Sequence, residues 1–83
     1  MNLTIVSPQR KYEYSVEWIS GTTHAGSLVI KPGHAPIILS LIAGSDFSFV
    51  LPSGEKKIIG LIAPCFLEVT RSDAIAIMGQ TLE

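Results

Sequence analysis

The residues able to do chemistry are few, and their positions keep them apart. The chain has one cysteine, Cys65, and two histidines, His24 and His34, ten positions from each other. A nucleophilic site would join Cys65 to one of the histidines. Cys65, however, stands between Pro64 and Phe66 in an apolar run, where a cysteine behaves as a small, inert core residue. Neither histidine has an Asp or Glu at metal-ligand spacing, and a structural zinc needs four ligands. The stretch Gly21-Thr22-Thr23-His24-Ala25-Gly26-Ser27 has the outline of a phosphate-binding loop. That loop requires Lys after its second glycine, then Ser or Thr, then a helix. Here Ser27 and Leu28 follow and a strand-like run comes next, so residues 21–27 read as a flexible connection. No catalytic residue, metal ligand or cofactor site is expected.

The most informative polar segment is Lys31-Pro32-Gly33-His34-Ala35-Pro36. Pro32 presets φ for the first corner of a tight turn, and Gly33 supplies positive φ at the second. His34 is then expected at an exposed tip. Pro36 has no backbone donor, which confines its segment to a sheet edge or a strand start. The residues alone fit a plain rigid turn as well as a rigid turn presenting a polar tip to a partner.

The elements that carry these residues have a period of two, the mark of half-buried strands. From Lys11 to Trp18 the alternation is strict, with Tyr12, Tyr14, Val16 and Trp18 on one side. Phe47, Phe49 and Leu51 repeat it opposite Ser48 and Val50. Shorter apolar runs begin at Leu3, Leu28, Ile37, Ile58, Phe66 and Ala74, rich in the β-branched and aromatic residues that strands favour. Turn residues punctuate them at Ser7-Pro8, Ser20-Gly21, Ala43-Gly44-Ser45, Pro52-Ser53-Gly54 and Arg71-Ser72-Asp73. This spacing predicts a single all-β domain over residues 1–83, a sandwich or barrel of about 8–10 short, mostly antiparallel strands.

Composition narrows the function. Hydrophobic residues make up 47% of the chain and charged ones 16%, against roughly 25% charged in an ordinary globular domain. So few charges suggest that a partner covers part of the surface. The net charge is −1 and the six Lys and Arg form no stripe, which argues against binding nucleic acid. The longest uncharged apolar run, between Lys57 and Glu68, holds about ten residues, too few to span a bilayer needing roughly 20. The start, Met1-Asn2-Leu3-Thr4-Ile5-Val6, has neither the basic nor the long apolar region of a leader.

At Pro32-Gly33-His34-Ala35-Pro36 the chain resembles the epsilon subunit of F-type ATP synthases. In that family a Pro-Gly-His-Ala-Pro turn lies near the middle of the N-terminal domain, and a Phe/Ile-Leu-Glu-Val strand follows some way on. Here that strand is Phe66-Leu67-Glu68-Val69, followed by the turn Arg71-Ser72-Asp73 and the apolar Ala74-Ile75-Ala76-Ile77. The opening Leu3-Thr4-Ile5-Val6-Ser7-Pro8 is similar to the family's first strand. The departures are Ser27, where the family has an acidic residue, and Pro64-Cys65, where it has Gly-Gly; the latter suggests a local bulge. The ending around Gly79-Gln80-Thr81 is also altered, and residues 79–83 are too few for the family's C-terminal helical hairpin.

The resemblance implies a flattened β-sandwich in the central stalk, non-catalytic and without a cofactor. One surface would bind the gamma subunit and another the c-ring, coupling ion translocation to ATP synthesis. The c-ring contact would fall on His34 with Gly33 and Pro32, and more weakly on Ser27. Membrane association would come only through the complex, at the cytoplasmic face of the bacterial inner membrane. Without the hairpin, ATP binding and inhibition of hydrolysis are not implied. A free-standing β-sandwich interaction module is the alternative.

Overall fold

A computed structural model describes residues 1–80 as nine strands in two packed sheets. In chain order they are β1 (Asn2–Val6), β2 (Lys11–Ser15), β3 (Trp18–Thr23), β4 (Gly26–Ile30), β5 (Ile37–Leu41), β6 (Asp46–Val50), β7 (Lys56–Gly60), β8 (Cys65–Val69) and β9 (Asp73–Met78). The first sheet runs β2-β1-β9-β8-β5 and the second β4-β3-β6-β7. Of the strand pairs described, β1 with β9 is parallel and the rest are antiparallel. The all-β sandwich expected from the period-two runs is therefore the fold. Residues 81–83, part of the segment judged too short for a helical hairpin, lie outside the described residues.

Alternation fills the space between the sheets. Leu3 and Ile5 of β1, Leu67 and Val69 of β8, and Phe47 and Phe49 of β6 are all buried. Tyr14 reaches across from β2 to stack on Phe49, ring centroids 4.9 Å apart, and Phe49 in turn lies 5.9 Å from Phe47. Such tilted aromatic pairs add about 0.5–1.5 kcal/mol beyond the area they bury. Cys65 is fully buried in the same core, and burial pushes its thiol up to about 11. It is a packing residue, in agreement with its apolar setting.

Three local expectations need correction. The uninterrupted run from Lys11 to Trp18 is two strands, broken at Val16 and Glu17. There the chain leaves one sheet for the other: the Val16 amide donates to the Met1 carbonyl, the Glu17 amide to that of Val50. The apolar alternation continues in the sequence, but the corner changes its face. Tyr14 and Val16 turn toward the core, whereas in β3 Ile19 is buried and Trp18, expected on the same side, lies on the outer face beside Lys56. Residues 21–27 are no flexible connection, because Gly21 lies inside β3 and Gly26 and Ser27 open β4. The hairpin turn between them is tight: the Thr23 hydroxyl accepts from the Ala25 amide and donates to the Gly26 carbonyl. Gly26 takes φ of 124°, open only to a residue without Cβ. Finally, Pro64-Cys65 produces no bulge in β8, whose register is unbroken from Cys65 to Val69 against both β5 and β9. Pro64 lies in the preceding loop, where its missing amide donor costs the ladder nothing.

Candidate protein-contact surfaces

The turn at residues 31–36 forms as its residues dictate. The His34 amide donates to the Lys31 carbonyl at 3.2 Å, and Gly33, at φ 84°, occupies the second corner after Pro32. The Gly33 amide donates to the Arg71 carbonyl, which ties this turn to the β8–β9 hairpin. Pro36 immediately precedes β5, the outermost strand of its sheet. His34 is less exposed than a turn tip would be. Its ring folds back, Nδ1 2.6 Å from the Ala35 carbonyl oxygen, and the residue is half-buried. Pro32 and Gly33 form the exposed corner.

Ser27 is not beside this turn. It sits near the opposite end of β4, exposed, its hydroxyl 3.1 Å from that of Thr22. The strand between Ser27 and Ile30 is about 10 Å long, so only a partner lying along the edge strand β4 would touch both. His24 is exposed in the β3–β4 turn, whereas Cys65 is buried in the core. The described residues hold no group of three or more potential metal ligands.

A cleft of about 340 Å³ opens between the edge strands β2 and β7, floored by Tyr12, Tyr14 and Phe49. Its volume is at the low end for a ligand site, and the charges at its mouth are engaged. Lys57 lies 3.6 Å from Glu55, and the Lys56 ammonium sits 5.8 Å from the Trp18 ring centroid. Lysines on an edge strand also discourage unwanted strand pairing. The cleft reads as a protected edge.

The outer face of the five-stranded sheet is different in kind. Ile38 is 74% exposed, Phe66 55% and Ile77 51%, and Ile75 stands beside them at 38%. Register puts them in contact: Phe66 pairs with Ile77 across β8–β9, while Ile38 and Ile75 flank Glu68 on either side. β9 is the telling strand. It turns Ala74 and Ala76 into the core and Ile75 and Ile77 out to solvent, the reverse of what core packing alone would choose. On the four-stranded sheet, by contrast, exposed Val29 and Ile58 are separated by the hydrogen-bonded hydroxyls of Ser20 and Ser48. The reading of the motifs missed the first face, although the unbroken apolar run from Ala74 to Met78 carried its signal.

The described residues form a flattened two-sheet sandwich with one broad apolar face. The chain belongs to the family described as ATP synthase, Delta/Epsilon chain, beta-sandwich domain, which matches residues 1–83. It is 31% identical over 84 residues to the ATP synthase epsilon chain of Anoxybacillus flavithermus, covering all of this chain and 60% of that one. It is also 31% identical over 75 residues to the epsilon chain of Rhodococcus erythropolis, covering 90% and 60%. The chain thus spans about three-fifths of the length of these relatives. Its fold is similar to that of a chain in the Euglena gracilis mitochondrial ATP synthase OSCP/F1/c-ring structure. That match has a TM-score of 0.85 and 18% identity, over 96% of this chain and 51% of the other. A chain of the Tetrahymena thermophila mitochondrial ATP synthase central stalk and c-ring gives 0.77 at 19%, over 96% and 63%.

Proposed function

We propose that this chain is a non-catalytic rotor subunit of an F-type ATP synthase, coupling ion translocation to ATP synthesis by binding the gamma subunit and touching the c-ring. The observation that carries the reading is the apolar outer face of the five-stranded sheet in a chain of the epsilon family. The molecule measures 28 × 28 × 19 Å, so a broad face offers on the order of 800 Å², the share each partner gives to a standard interface. The gamma subunit would cover this face. The c-ring contact would fall on the corner of Pro32, Gly33 and His34, with Ser27 joining if the contact runs along β4. Such a subunit would sit at the cytoplasmic face of a bacterial inner membrane and reach it only through the complex. No helix of the described residues is long and apolar enough to cross a membrane.

Co-expression with the gamma subunit of the same organism tests the first contact. The two chains should co-purify, and Ile38→Asp, which places a second carboxylate beside Glu68 on the exposed apolar patch, should abolish the pair. Two separately eluting proteins would instead support the free-standing interaction module. For the second contact, a cysteine at His34 should crosslink under mild oxidation to one in the polar loop of the ring subunit. Disulfides need Cα atoms within about 7 Å, and Cys65 is too buried to compete. Failure across several loop positions in an assembled complex would reject the ring assignment.

A further inference from the structure

The apolar face has a charged centre. Glu68 is exposed on β8 between Ile38 on β5 and Ile75 on β9, with Phe66 two residues before it on the same strand face. Among the described residues no cation lies within 4 Å of its carboxylate. Among the strand residues of the same sheet face the cation is Lys11, three strands away and two residues along, at about 16 Å, and already paired with Glu13 at 3.6 Å. The strand residues of that face therefore carry one cation, Lys11, against three carboxylates, Glu13, Glu68 and Asp73.

A wholly apolar partner would strip the water from Glu68 and return nothing, at a cost of several kcal/mol. An acidic partner would add repulsion. We infer that the surface covering this face is apolar with one cationic side chain, arginine or lysine, set to meet Glu68. Arginine suits the position better, because its planar guanidinium is weakly hydrated and grips a carboxylate with two parallel hydrogen bonds. The isoleucines and Phe66 then supply the apolar ring that excludes water from the pair, as neutral contacts around an interface hot spot do. Glu68 supplies register: a partner shifted by one strand spacing would lose the pair while keeping most of the apolar contact. This inference rests on the gamma subunit being the covering partner.

The test is the dissociation constant for the gamma subunit of wild type, Glu68→Gln, Glu68→Lys, Glu13→Gln and Ile38→Asp. Circular dichroism should show that each variant keeps its strands, since all of these side chains except that of Ile38 are polar and exposed. Glu68→Gln should weaken binding about thirtyfold, roughly 2 kcal/mol, and Glu68→Lys at least about a hundredfold. Glu13→Gln, a rim charge, should stay within about threefold. Exposed lysines and arginines of gamma, changed one at a time to Glu, should include one that restores most of the binding lost by Glu68→Lys. Loss with Ile38→Asp but binding within about threefold for both Glu68 variants would overturn the charge pair and leave the docking face standing. The same holds if Glu68→Lys is weak and no gamma reversal rescues it, because the carboxylate then meets neutral donors. Wild-type binding by Ile38→Asp would remove the docking face, and the charge pair with it.

Discussion

Gly21 offers a quantitative test of how the two sheets are held together. It lies inside β3 with its missing side chain directed at Leu41 of β5, and a Cβ built there would stand 2.8 and 2.9 Å from the two Leu41 methyls. Its φ is not positive, so the requirement for glycine is a matter of space alone. Leu41 is fully buried, and the next amide, Ile42, donates to the Thr22 carbonyl at 3.0 Å, which limits how far this stretch can retreat. Overpacking a core costs about 1–3 kcal/mol, while replacing a strand glycine by alanine returns about 0.5–1 kcal/mol of backbone entropy. Gly21→Ala should therefore destabilise by about 1 kcal/mol, and Gly21→Val by about 2–3 kcal/mol, since its extra methyls have no room either. For a domain of this size each kcal/mol lowers the melting temperature by about 4–8 °C. Urea and thermal unfolding followed by Trp18 fluorescence read both. Leu41→Ala alone costs about 2–5 kcal/mol, but in that background Gly21→Ala should become neutral or stabilising. If Gly21→Ala raised the melting temperature, or cost the same with Leu41 removed, the contact would not be what demands glycine.

Three further outcomes follow from other parts of the molecule. Burial raises the Cys65 thiol from 9.0 to about 11, so iodoacetamide should leave it unlabelled in the folded protein at pH 8 and label it readily in urea. The folded state holds this proton more tightly than the unfolded one, so the associated stability is complete below pH 9 and is lost between about 9 and 11. It amounts to on the order of 2–3 kcal/mol, visible as a fall in urea midpoint that Cys65→Ala should lack. Gln80 is buried and clamps the β7–β8 loop, its side-chain oxygen accepting from the Ile62 amide at 2.8 Å and its nitrogen donating to the Gly60 carbonyl at 3.0 Å. Gln80→Ala should cost about 2 kcal/mol and speed amide exchange at Ile62, with slow exchange retained there counting against the clamp. Gly33→Ala, forced to hold φ near 84°, should cost about 1 kcal/mol and weaken any crosslink at His34, whereas Gly60→Ala, with no close contact and no positive φ, should do neither.

Much of this fold was legible because alternation and turn chemistry are local. Phe47 and Phe49 announce β6, and Pro32-Gly33 announces a turn that the structure closes with Gly33 at positive φ. What was not legible depends on pairing between distant segments. The break at Val16 and Glu17 is set by carbonyls of Met1 and Val50, which no window along the sequence contains. The folding-back of His34 onto Ala35, and the distance along β4 that separates it from Ser27, likewise appear only in three dimensions.

The apolar face lies between these cases, since its residues are plain in the sequence and only their direction is not. Ala74 to Met78 is apolar at every position, a pattern expected of a strand buried on both sides. In the sandwich only one side of β9 is covered, and the covered positions hold the alanines. Large neighbours explain this in part: Leu3 and Ile5 on β1 and Leu67 and Val69 on β8 stand directly beside Ala74 and Ala76, and fill the space that larger residues would need. Nothing in the core calls for isoleucine at 75 and 77, where threonine would keep β propensity. Two exposed isoleucines on a central strand, joined by Phe66 and Ile38 from the next two, are a liability for an isolated small domain. They become an asset once a second surface arrives, so the proposed docking would make the second side of β9 part of a shared core.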